Sequence, residues 1–419
     1  MDIASEKEAT TGLTRGISLN VILLGVVSFL TDVSSEMTLT VLPLFLANVL
    51  GTTTAIIGII EGIAETTASL TKVPAGWISD RFQRRKLPTV VGYGISAIMK
   101  PLLYLATNWG LVLAIRFSDR MGKGIRSSPR DALIADSSPP DKRGINFGFH
   151  RAADTAGAFV GLGLVALITF LSQRGALQME RATYQRLVLA ATVPGIIAVL
   201  ILALFVKEVA KRARAVPDAG VESEQRRRRA LTGPFRIYLV IVALFTLGNS
   251  SDAFLILRGQ NLGLSVLQIA LLLVLFNAVY AGLATPAGAI SDKIGRRSLV
   301  VGGWSAYALL YLGFAVASQA WHFWLLYTLY GVYYAAAEGV GRAWVADLVP
   351  SEVRGTAFGF YHGAVGIAAL PASLIAGLLW QGLGRWHGFG PSAPFYFGAA
   401  LAGLAVFLLL VWMPRARMA

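Results

Sequence analysis

The chain has 419 residues, of which 55% are hydrophobic and only 14% are charged. Soluble globular proteins carry about 25% charged residues, so this composition excludes an ordinary soluble domain and predicts a polytopic membrane protein. The net charge of +14 comes from Lys and Arg residues that gather in alternate loops, which is typical of membrane topology and excludes a nucleic-acid-binding surface.

Long apolar runs predict twelve transmembrane helices, and therefore an all-α integral membrane protein. In the first half of the chain the runs lie near 18–50, 54–79, 87–107, 109–135, 145–171 and 187–205. In the second half they lie near 237–256, 266–291, 299–317, 320–349, 356–379 and 393–413.

The loops predict which side of the membrane each end of the chain occupies. The basic loops all fall on one side of the predicted spans, which places both termini in the cytoplasm. We expect a cytoplasmic N-terminal segment (1–17), an N-terminal six-helix bundle (18–206), a cytoplasmic connector (207–236), a C-terminal six-helix bundle (237–413) and a cytoplasmic tail (414–419). The first apolar run is long enough to span the membrane, so no cleaved signal peptide is predicted.

Charged residues interrupt the first and second spans. Asp32 and Glu36 lie four residues apart near the middle of the first span, and so share one helical face. A carboxylate in hydrocarbon costs about 2.5 kcal/mol or more, so both are expected to face a cavity and to take part in proton coupling. Glu61 and Glu65 in the second span are expected to pair with neighbouring cations.

The fourth and fifth spans carry the most charge. Spacings of four and seven residues place Arg116, Arg120 and Lys123 in one stripe, with Asp119 beside it. We assign Arg116, Asp119 and Arg120 to proton coupling and Lys123 to the substrate cavity. In the fifth span, the pair of residues Arg151 and Asp154 at positions i and i+3 is a further candidate for the cavity.

The second half supplies a less charged polar set. The substrate-cavity candidates there are Asn249, Asp252, Asn277, Tyr280, Tyr334, Glu338 and His362. This asymmetry suggests that the first half handles protons, while solute contacts are shared with amide and aromatic groups of the second half.

Two short phrases occur once in each half at nearly equal spacing. The first contains Gly76, Asp80, Arg81, Arg84 and Arg85, and returns as Gly288, Asp292, Arg296 and Arg297. The second, DxxPxxxRG, contains Asp136 and Arg143 and returns with Asp347 and Arg354. Asp80 and Asp292 are 212 positions apart, and Asp136 and Asp347 are 211 apart, which indicates a duplicated half.

These paired phrases resemble the conserved cytoplasmic motif of the major facilitator superfamily, over essentially the whole chain. The resemblance implies two pseudo-symmetric six-helix bundles that rock about a midplane site lined by spans one, four, seven and ten. It also implies that the repeated phrases form a latch between the bundles at the cytoplasmic side. The basic residues of the phrases are expected to contact anionic lipid.

Two further stretches are similar to motifs of drug-proton antiporters in that family. Arg120 and Gly124 match an Arg-containing motif of the fourth span, with Lys123 in place of its Gln. Residues 157–163 resemble the antiporter motif GxxxGPxxGG, with Leu162 standing where that motif has Pro.

The sequence favours a secondary active transporter in the cytoplasmic (inner) membrane, acting as a monomer. We expect a proton-coupled exporter of a small organic solute, with Asp32 as the proton acceptor and Arg116 or Arg120 as its tuning cation. The alternatives are a proton-coupled importer of an organic anion, and a lipid translocase or non-transporting receptor of the same fold. No cofactor, metal site or enzymatic activity is predicted, because no phosphate-binding Gly loop or metal-ligand spacing is present.

Overall fold

The computed structural model describes residues 17–82, 84–139, 143–173, 175–209, 233–294, 296–349 and 354–413. Within these ranges, the side chains at 80, 143–145, 284–294, 296, 336–343, 346–347 and 354–356 are not described. The described residues form twelve helical segments in the order predicted, and eight of them are long and apolar enough to cross a membrane. The predicted all-α membrane fold is confirmed.

The first half contains seven α-helices. They are α1 (Leu19–Leu39), α2 (Leu42–Asn48), α3 (Thr54–Phe82), α4 (Lys86–Met99), α5 (Trp109–Asp136), α6 (Arg143–Ser172) and α7 (Arg181–Leu204). A 3-10 helix, Lys100–Leu105, extends α4, and α1 and α2 together make one span.

The second half repeats the scheme. Its helices are α8 (Pro234–Gly248), α9 (Ala253–Asn261), α10 (Val266–Ile294), α11 (Arg296–Val316), α12 (Ala320–Leu348), α13 (Arg354–Gln381) and α14 (Ala393–Trp412). The broken pair α8 and α9 makes one span, in the position that α1 and α2 occupy in the first half.

The first span is made of two helices that meet after Leu39. Its polar stretch between Thr31 and Glu36 is helical, as the shared helical face of Asp32 and Glu36 requires, and the hydroxyl group of Thr31 donates to the carbonyl oxygen of Val27 at 2.7 Å. The helix ends only at Leu39, and Pro43 sits in the first turn of the next helix, where its missing N–H costs nothing.

The sixth span begins earlier than predicted, at Arg181 and not at Leu187. Its first turn is polar, yet the Tyr184 ring in that turn is buried and stacks on Phe45, with ring centroids 4.1 Å apart. The Arg181 guanidinium reaches the carbonyl oxygen of Ala106 at 3.0 Å, so the polar turn is satisfied at the end of the bundle.

The two halves cross closely where α3 meets α13. A Cβ atom added at Gly58 would lie 2.2 Å from the carbonyl oxygen of Ser373, and one added at Gly366 would lie 2.5 Å from the Cβ of Ser69. The Thr66 hydroxyl donates to the carbonyl oxygen of Gly366 at 2.5 Å. Small residues therefore bring the two helices into backbone contact.

The halves are also joined at what we call the distal face, the end of the bundle formed by the 49–53, 175–180, 262–265 and 382–392 loops. The side-chain amides of Asn48 and Gln260 donate to each other at 3.1 and 2.7 Å. The backbone N–H of Thr54 donates to the side-chain oxygen of Gln381 at 3.0 Å. These bonds hold the halves together on the side opposite the repeated phrases.

Candidate functional site

A cavity of about 580 Å³ lies between the two halves. Its walls come mainly from α1, α3 and α5 on one side and from α8, α9, α10, α12 and α13 on the other. The predicted site residues that line it are Asp32, Glu36, Arg116, Asp119, Arg120, Lys123, Asn249, Asp252, Asn277 and Tyr334. The fold therefore collects carboxylates, a basic stripe, amides and a phenol from distant parts of the chain.

The other cavity candidates stand elsewhere. The described residues that line the cavity do not include Arg151, Asp154, Tyr280 or His362. Arg151 donates to the phenol oxygen of Tyr280 at 3.4 Å, which links α6 to α10, and His362 packs on Tyr361 with ring centroids 5.4 Å apart. The side chain of Glu338 lies outside the described residues.

Ion pairs occupy the basic stripe of α5. The guanidinium of Arg116 lies 2.6 Å from the Glu61 carboxylate, and both side chains are buried. The guanidinium of Arg120 lies 3.4 Å from the Glu65 carboxylate, which is half exposed to the cavity. The prediction that Glu61 and Glu65 pair with cations is thus confirmed. Arg116 and Arg120 were also expected to tune the protonation of Asp32, and in the described part of the chain neither forms an ion pair with it because each is paired with a glutamate.

One buried cation was missed by the sequence analysis. Lys100 is 3% exposed, and its ammonium group donates to the hydroxyl of Ser35 at 2.7 Å and to that of Ser34 at 3.4 Å. It fixes the helix that carries Asp32 and Glu36 from the side of the third span. The available signal was a single Lys in an apolar run, directly before Pro101.

Asp32 has a second carboxyl group as its neighbour. The carboxyl groups of Asp32 and Asp154 lie within hydrogen-bonding reach of each other, and the Ser28 hydroxyl donates to Asp154 at 2.6 Å. The sequence spacing of three residues also predicted that Arg151 pairs with Asp154, and the Arg151 guanidinium lies 3.9 Å from the Asp154 carboxylate. A carboxyl pair bridging α1 and α6 is therefore present at the edge of the cavity wall.

The glycine stretch of α6 explains this contact. A Cβ atom added at Gly157 would lie 2.3 Å from the carbonyl oxygen of Phe29, and one added at Gly161 would lie 2.9 Å from that of Val33. The two helices are thus in backbone contact along the turns on either side of Asp32. The stretch that resembles an antiporter motif is what allows the Asp154 carboxyl to reach Asp32.

The wall from the second half is aromatic and amidic. The rings of Phe276, Tyr327 and Tyr334 line the cavity beside Asn249 and Asn277. The Asn249 side chain accepts a hydrogen bond from Tyr307 at 3.2 Å, which holds its amide in place at the break between α8 and α9.

The charges that line the cavity are unequal. Among the described residues, six carboxylates and four basic side chains line it. All four basic groups belong to α5, whereas the carboxylates come from both halves. The described residues contain no cluster of His, Asp or Glu that could hold a metal ion. Carboxylates therefore outnumber basic groups in the described lining of the cavity.

The repeated phrase of the first half ties helices together at the end opposite the distal face. Arg85 lies 3.6 Å from Asp136 and donates to the Ser79 hydroxyl at 2.9 Å, while the Glu208 carboxylate accepts from the backbone N–H of Arg85 at 2.8 Å. In the second half, Arg297 donates to the carbonyl oxygen of Met413 at 2.6 Å.

The other latch residues add little to this network. Gly76 adjoins Ser128, Arg81 stacks over Trp77 at 5.5 Å and the carbonyl oxygen of Arg84 accepts from Ser79. The side chains of Asp80, Arg143, Asp292, Arg296, Asp347 and Arg354 lie outside the described residues, as do the surroundings of Gly288. The described contacts of the phrases join helices of one half, and a latch between the halves stays a prediction.

An all-helical membrane protein made of two similar halves around one polar cavity has the architecture of a solute carrier. The chain belongs to the Major Facilitator Superfamily, whose profile matches residues 24–258 and 237–419. Transporters of this family bind small-molecule substrates and are carriers and not enzymes.

Individual relatives agree with this assignment. An uncharacterized MFS-type transporter of Methanocaldococcus jannaschii is 36% identical over 402 residues, which cover 94% of this chain and 95% of the relative. The fosmidomycin resistance protein of Escherichia coli is 24% identical, covering 89% of each chain. Among solved structures, a D-xylose-proton symporter superposes with a TM-score of 0.74 at 17% identity, covering 94% of this chain and 97% of the other.

Proposed function

We propose that this protein is a proton-coupled exporter of a small organic solute in the cytoplasmic membrane. The observation that carries the proposal is the carboxyl pair of Asp32 and Asp154 beside the cavity. Membership of a transporter family supports the transport of a small solute, and the carboxyl pair supports the coupling of that transport to protons.

Two carboxylates at hydrogen-bonding distance repel each other, and a shared proton removes the repulsion. The Ser28 hydroxyl already donates to Asp154, so Asp32 is the member that carries the proton and donates it to the pair. When Asp32 loses this proton, Asp154 repels it and the Lys123 ammonium attracts it. Protonation thus decides whether Asp32 turns to α6 or to the cavity.

Other charged groups face the carboxyl pair and also influence which of its two members carries the proton. Glu36 on α1 adds negative charge beside Asp32. Arg130 on α5 and Arg151 on α6 add positive charge on the side of Asp154. Negative charge is therefore more favourable on Asp154 than on Asp32, which agrees with a proton held by Asp32.

Alternating access would expose this pair to each side of the membrane in turn. Protonation on the acidic side and proton release on the other would then drive the solute in the opposite direction. The proposal of export draws on the similarity to a protein named for fosmidomycin resistance, since resistance to a compound is consistent with its removal from the cell.

The importer of an organic anion is less well supported. The arginines that would hold the anion, Arg116 and Arg120, are already paired with Glu61 and Glu65. An anion would also enter a cavity in which the described carboxylates outnumber the basic groups. Both observations favour a proton or a cation over an anion.

The proposal is tested by transport in proteoliposomes that hold the full chain. Three probes of different charge, ethidium, fluorescein and radiolabelled xylose, are followed under an imposed pH gradient and without one. The wild-type protein is expected to accumulate at least one probe only when the gradient is present. Asp32→Asn and Asp154→Asn are expected to abolish that accumulation but to retain exchange of the same probe down its own gradient.

Glu180→Gln is the matched control, because it removes an exposed carboxylate of the distal face. It is expected to behave as the wild type. Undiminished, gradient-dependent accumulation in Asp32→Asn would remove this residue from the mechanism, and equal accumulation with and without the gradient in the wild type would contradict proton coupling itself.

A further inference from the structure

A tight loop of the distal face, residues 382–390, carries apolar side chains on its outside. Phe389 is 74% exposed, Leu383 is 65% exposed and Trp386 is 44% exposed. The rings of Trp386 and Phe389 pack edge to face with centroids 5.6 Å apart, and the backbone N–H of Trp386 donates to the carbonyl oxygen of Leu383 at 3.2 Å. We call these three residues the distal apolar cluster. Exposed apolar patches with polar neighbours mark surfaces that bind a protein or a membrane.

The backbone of the loop holds the cluster in a fixed shape. Gly382 and Gly388 have φ angles of +76° and +66°, in a region that residues with a side chain rarely occupy. A Cβ atom added at Gly382 would lie 1.8 Å from the carbonyl oxygen of Trp386, so the loop closes tightly on itself. The apolar side chains are therefore displayed by an ordered turn.

The loop also stays close to the end of the membrane-spanning helix α13. The backbone N–H of Gly382 donates to the carbonyl oxygen of Leu378 at 2.7 Å, and that of Phe389 donates to Leu379 at 2.8 Å, in the last turn of the helix. The apolar part of α13, Ala357–Gln381, has 25 residues and is about 37 Å long, whereas the hydrocarbon of a bilayer is about 30 Å thick. The helix therefore ends just beyond the hydrocarbon, and the loop folded onto its end lies at the depth of the lipid headgroups.

The charges of the loop fit a phospholipid surface. Residues 382–395 contain Arg385 and His387 and no Asp or Glu. Arg385 directly precedes Trp386 and is exposed. A guanidinium group binds phosphate through two parallel hydrogen bonds, and phosphate is the anionic group of phospholipids. Positive charge next to exposed rings is thus complementary to a layer in which phosphates lie above acyl chains.

Other spans carry exposed aromatic residues at the same face. Trp109 begins α5 and is 44% exposed. Trp321, in the first turn of α12, is 60% exposed, and its indole N–H donates to the side chain of Gln319 at 2.6 Å. Trp and Tyr concentrate at membrane–water interfaces, where an apolar ring meets polar headgroups. These residues place the interface at the helix ends, which is the level at which the 382–390 loop begins.

We propose that the 382–390 loop inserts into the headgroup layer of the bilayer at the distal face, with the distal apolar cluster among the upper acyl chains and Arg385 on a lipid phosphate. The partner is the phospholipid surface and not another protein. Gln381, the last residue of α13, accepts a hydrogen bond from the backbone N–H of Thr54 in the first half. Lipid bound by the loop would therefore act on the helix end at which the two halves meet.

The test is the depth of a fluorescent label in lipid nanodiscs that hold one copy of the full chain. The chain has no cysteine, so Phe389→Cys provides a single site for a thiol-reactive nitrobenzoxadiazole dye. Its fluorescence is measured with lipids brominated in the upper acyl chains, which quench from within the bilayer, and with iodide, which quenches from water. We expect strong quenching by the brominated lipids and little quenching by iodide.

Two further cysteine positions provide the comparison. Leu383→Cys, labelled in the same way, should give the same result, which shows that the outcome does not depend on the loss of one ring. Gln178→Cys is the matched control, because Gln178 is exposed at the distal face and lines a second cavity, of about 370 Å³, between the two halves. Its label should be quenched by iodide and not by the brominated lipids.

The contact with phosphate is tested in the chain labelled at Phe389→Cys. Arg385→Gln should increase the quenching of this label by iodide, because the loop loses its bond to the headgroup. Unchanged quenching in Arg385→Gln would contradict the phosphate contact.

The remaining outcomes decide whether lipid is the partner. Iodide quenching of both cluster labels that is as strong as at Gln178→Cys would place the loop in water and overturn the inference. Labels that neither quencher reaches would show that protein covers the loop, which would overturn it as well. None of these measurements involves transport, so the result is independent of the proposed proton coupling.

Discussion

At the scale of single residues, Arg116 and Glu61 form a buried ion pair within the charged wall of the cavity. Their charged atoms lie 2.6 Å apart and both side chains are almost fully buried. Removing one partner of such a pair leaves a buried charge alone and costs about 3–5 kcal/mol, whereas removing both costs far less. We predict that Arg116→Met lowers the melting temperature in detergent strongly and that Arg116→Met with Glu61→Gln restores most of it.

The neighbouring pair provides the comparison. Glu65 is 49% exposed in its contact with Arg120, so Arg120→Met should cost about 1 kcal/mol or less. The contribution of burial would be contradicted if Arg116→Met and Arg120→Met lowered the melting temperature equally, or if the double variant at Arg116 and Glu61 were no more stable than Arg116→Met.

Helical spacing alone predicted that Arg116, Arg120 and Lys123 form one stripe, and all three line the cavity. The spacing could not predict which glutamate each arginine meets, because this depends on the register between α3 and α5. Lys100 was missed for a similar reason, since its serine partners lie on α1, more than 60 positions earlier in the chain.

At the scale of elements, the contact between α1 and α6 depends on a glycine that a larger residue would displace. A Cβ at Gly157 would lie 2.3 Å from the carbonyl oxygen of Phe29, so Gly157→Val should force the helices apart at about 1–3 kcal/mol and separate Asp154 from Asp32. We predict a lower melting temperature together with loss of gradient-driven accumulation in proteoliposomes.

Gly163 is the matched control on the same helix, because open space surrounds the position of its Cβ. Gly163→Val should therefore leave both the melting temperature and the accumulation close to those of the wild type. The role of the close approach would be refuted by equal behaviour of the two valine variants.

The sequence predicted the number and order of the spans well, because long apolar runs and the duplicated phrases carry that information. Details that depend on tertiary partners were predicted less well. The break of the first span after Leu39 was not predicted, and the sixth span starts at Arg181 and not near Leu187, with Tyr184 stacked on Phe45. Hydropathy does not report either contact.

At the scale of the whole molecule, the account requires the distal face to open and close. Asn48 and Gln260 join the halves there by two hydrogen bonds between their amides. The chain contains no cysteine, so cysteines placed at these two positions would be the only thiols. We predict that a short thiol cross-linker between Asn48→Cys and Gln260→Cys stops transport in proteoliposomes.

Each single cysteine variant, treated with the same reagent, is the control and should continue to transport. Transport that continues at the wild-type rate in the fully cross-linked protein would mean that the halves need not separate at the distal face.

The most direct test of the central claim, a proton held between α1 and α6, is infrared spectroscopy of the purified protein as a function of pH. The account predicts a protonated-carboxyl band that titrates in the wild type, that is absent in Asp32→Asn, and that is also absent near neutral pH in Asp154→Asn, where Asp32 no longer faces a second carboxylate. Glu180→Gln should keep the band. A band that is unchanged in Asp154→Asn would contradict the shared proton and, with it, the proposed coupling site.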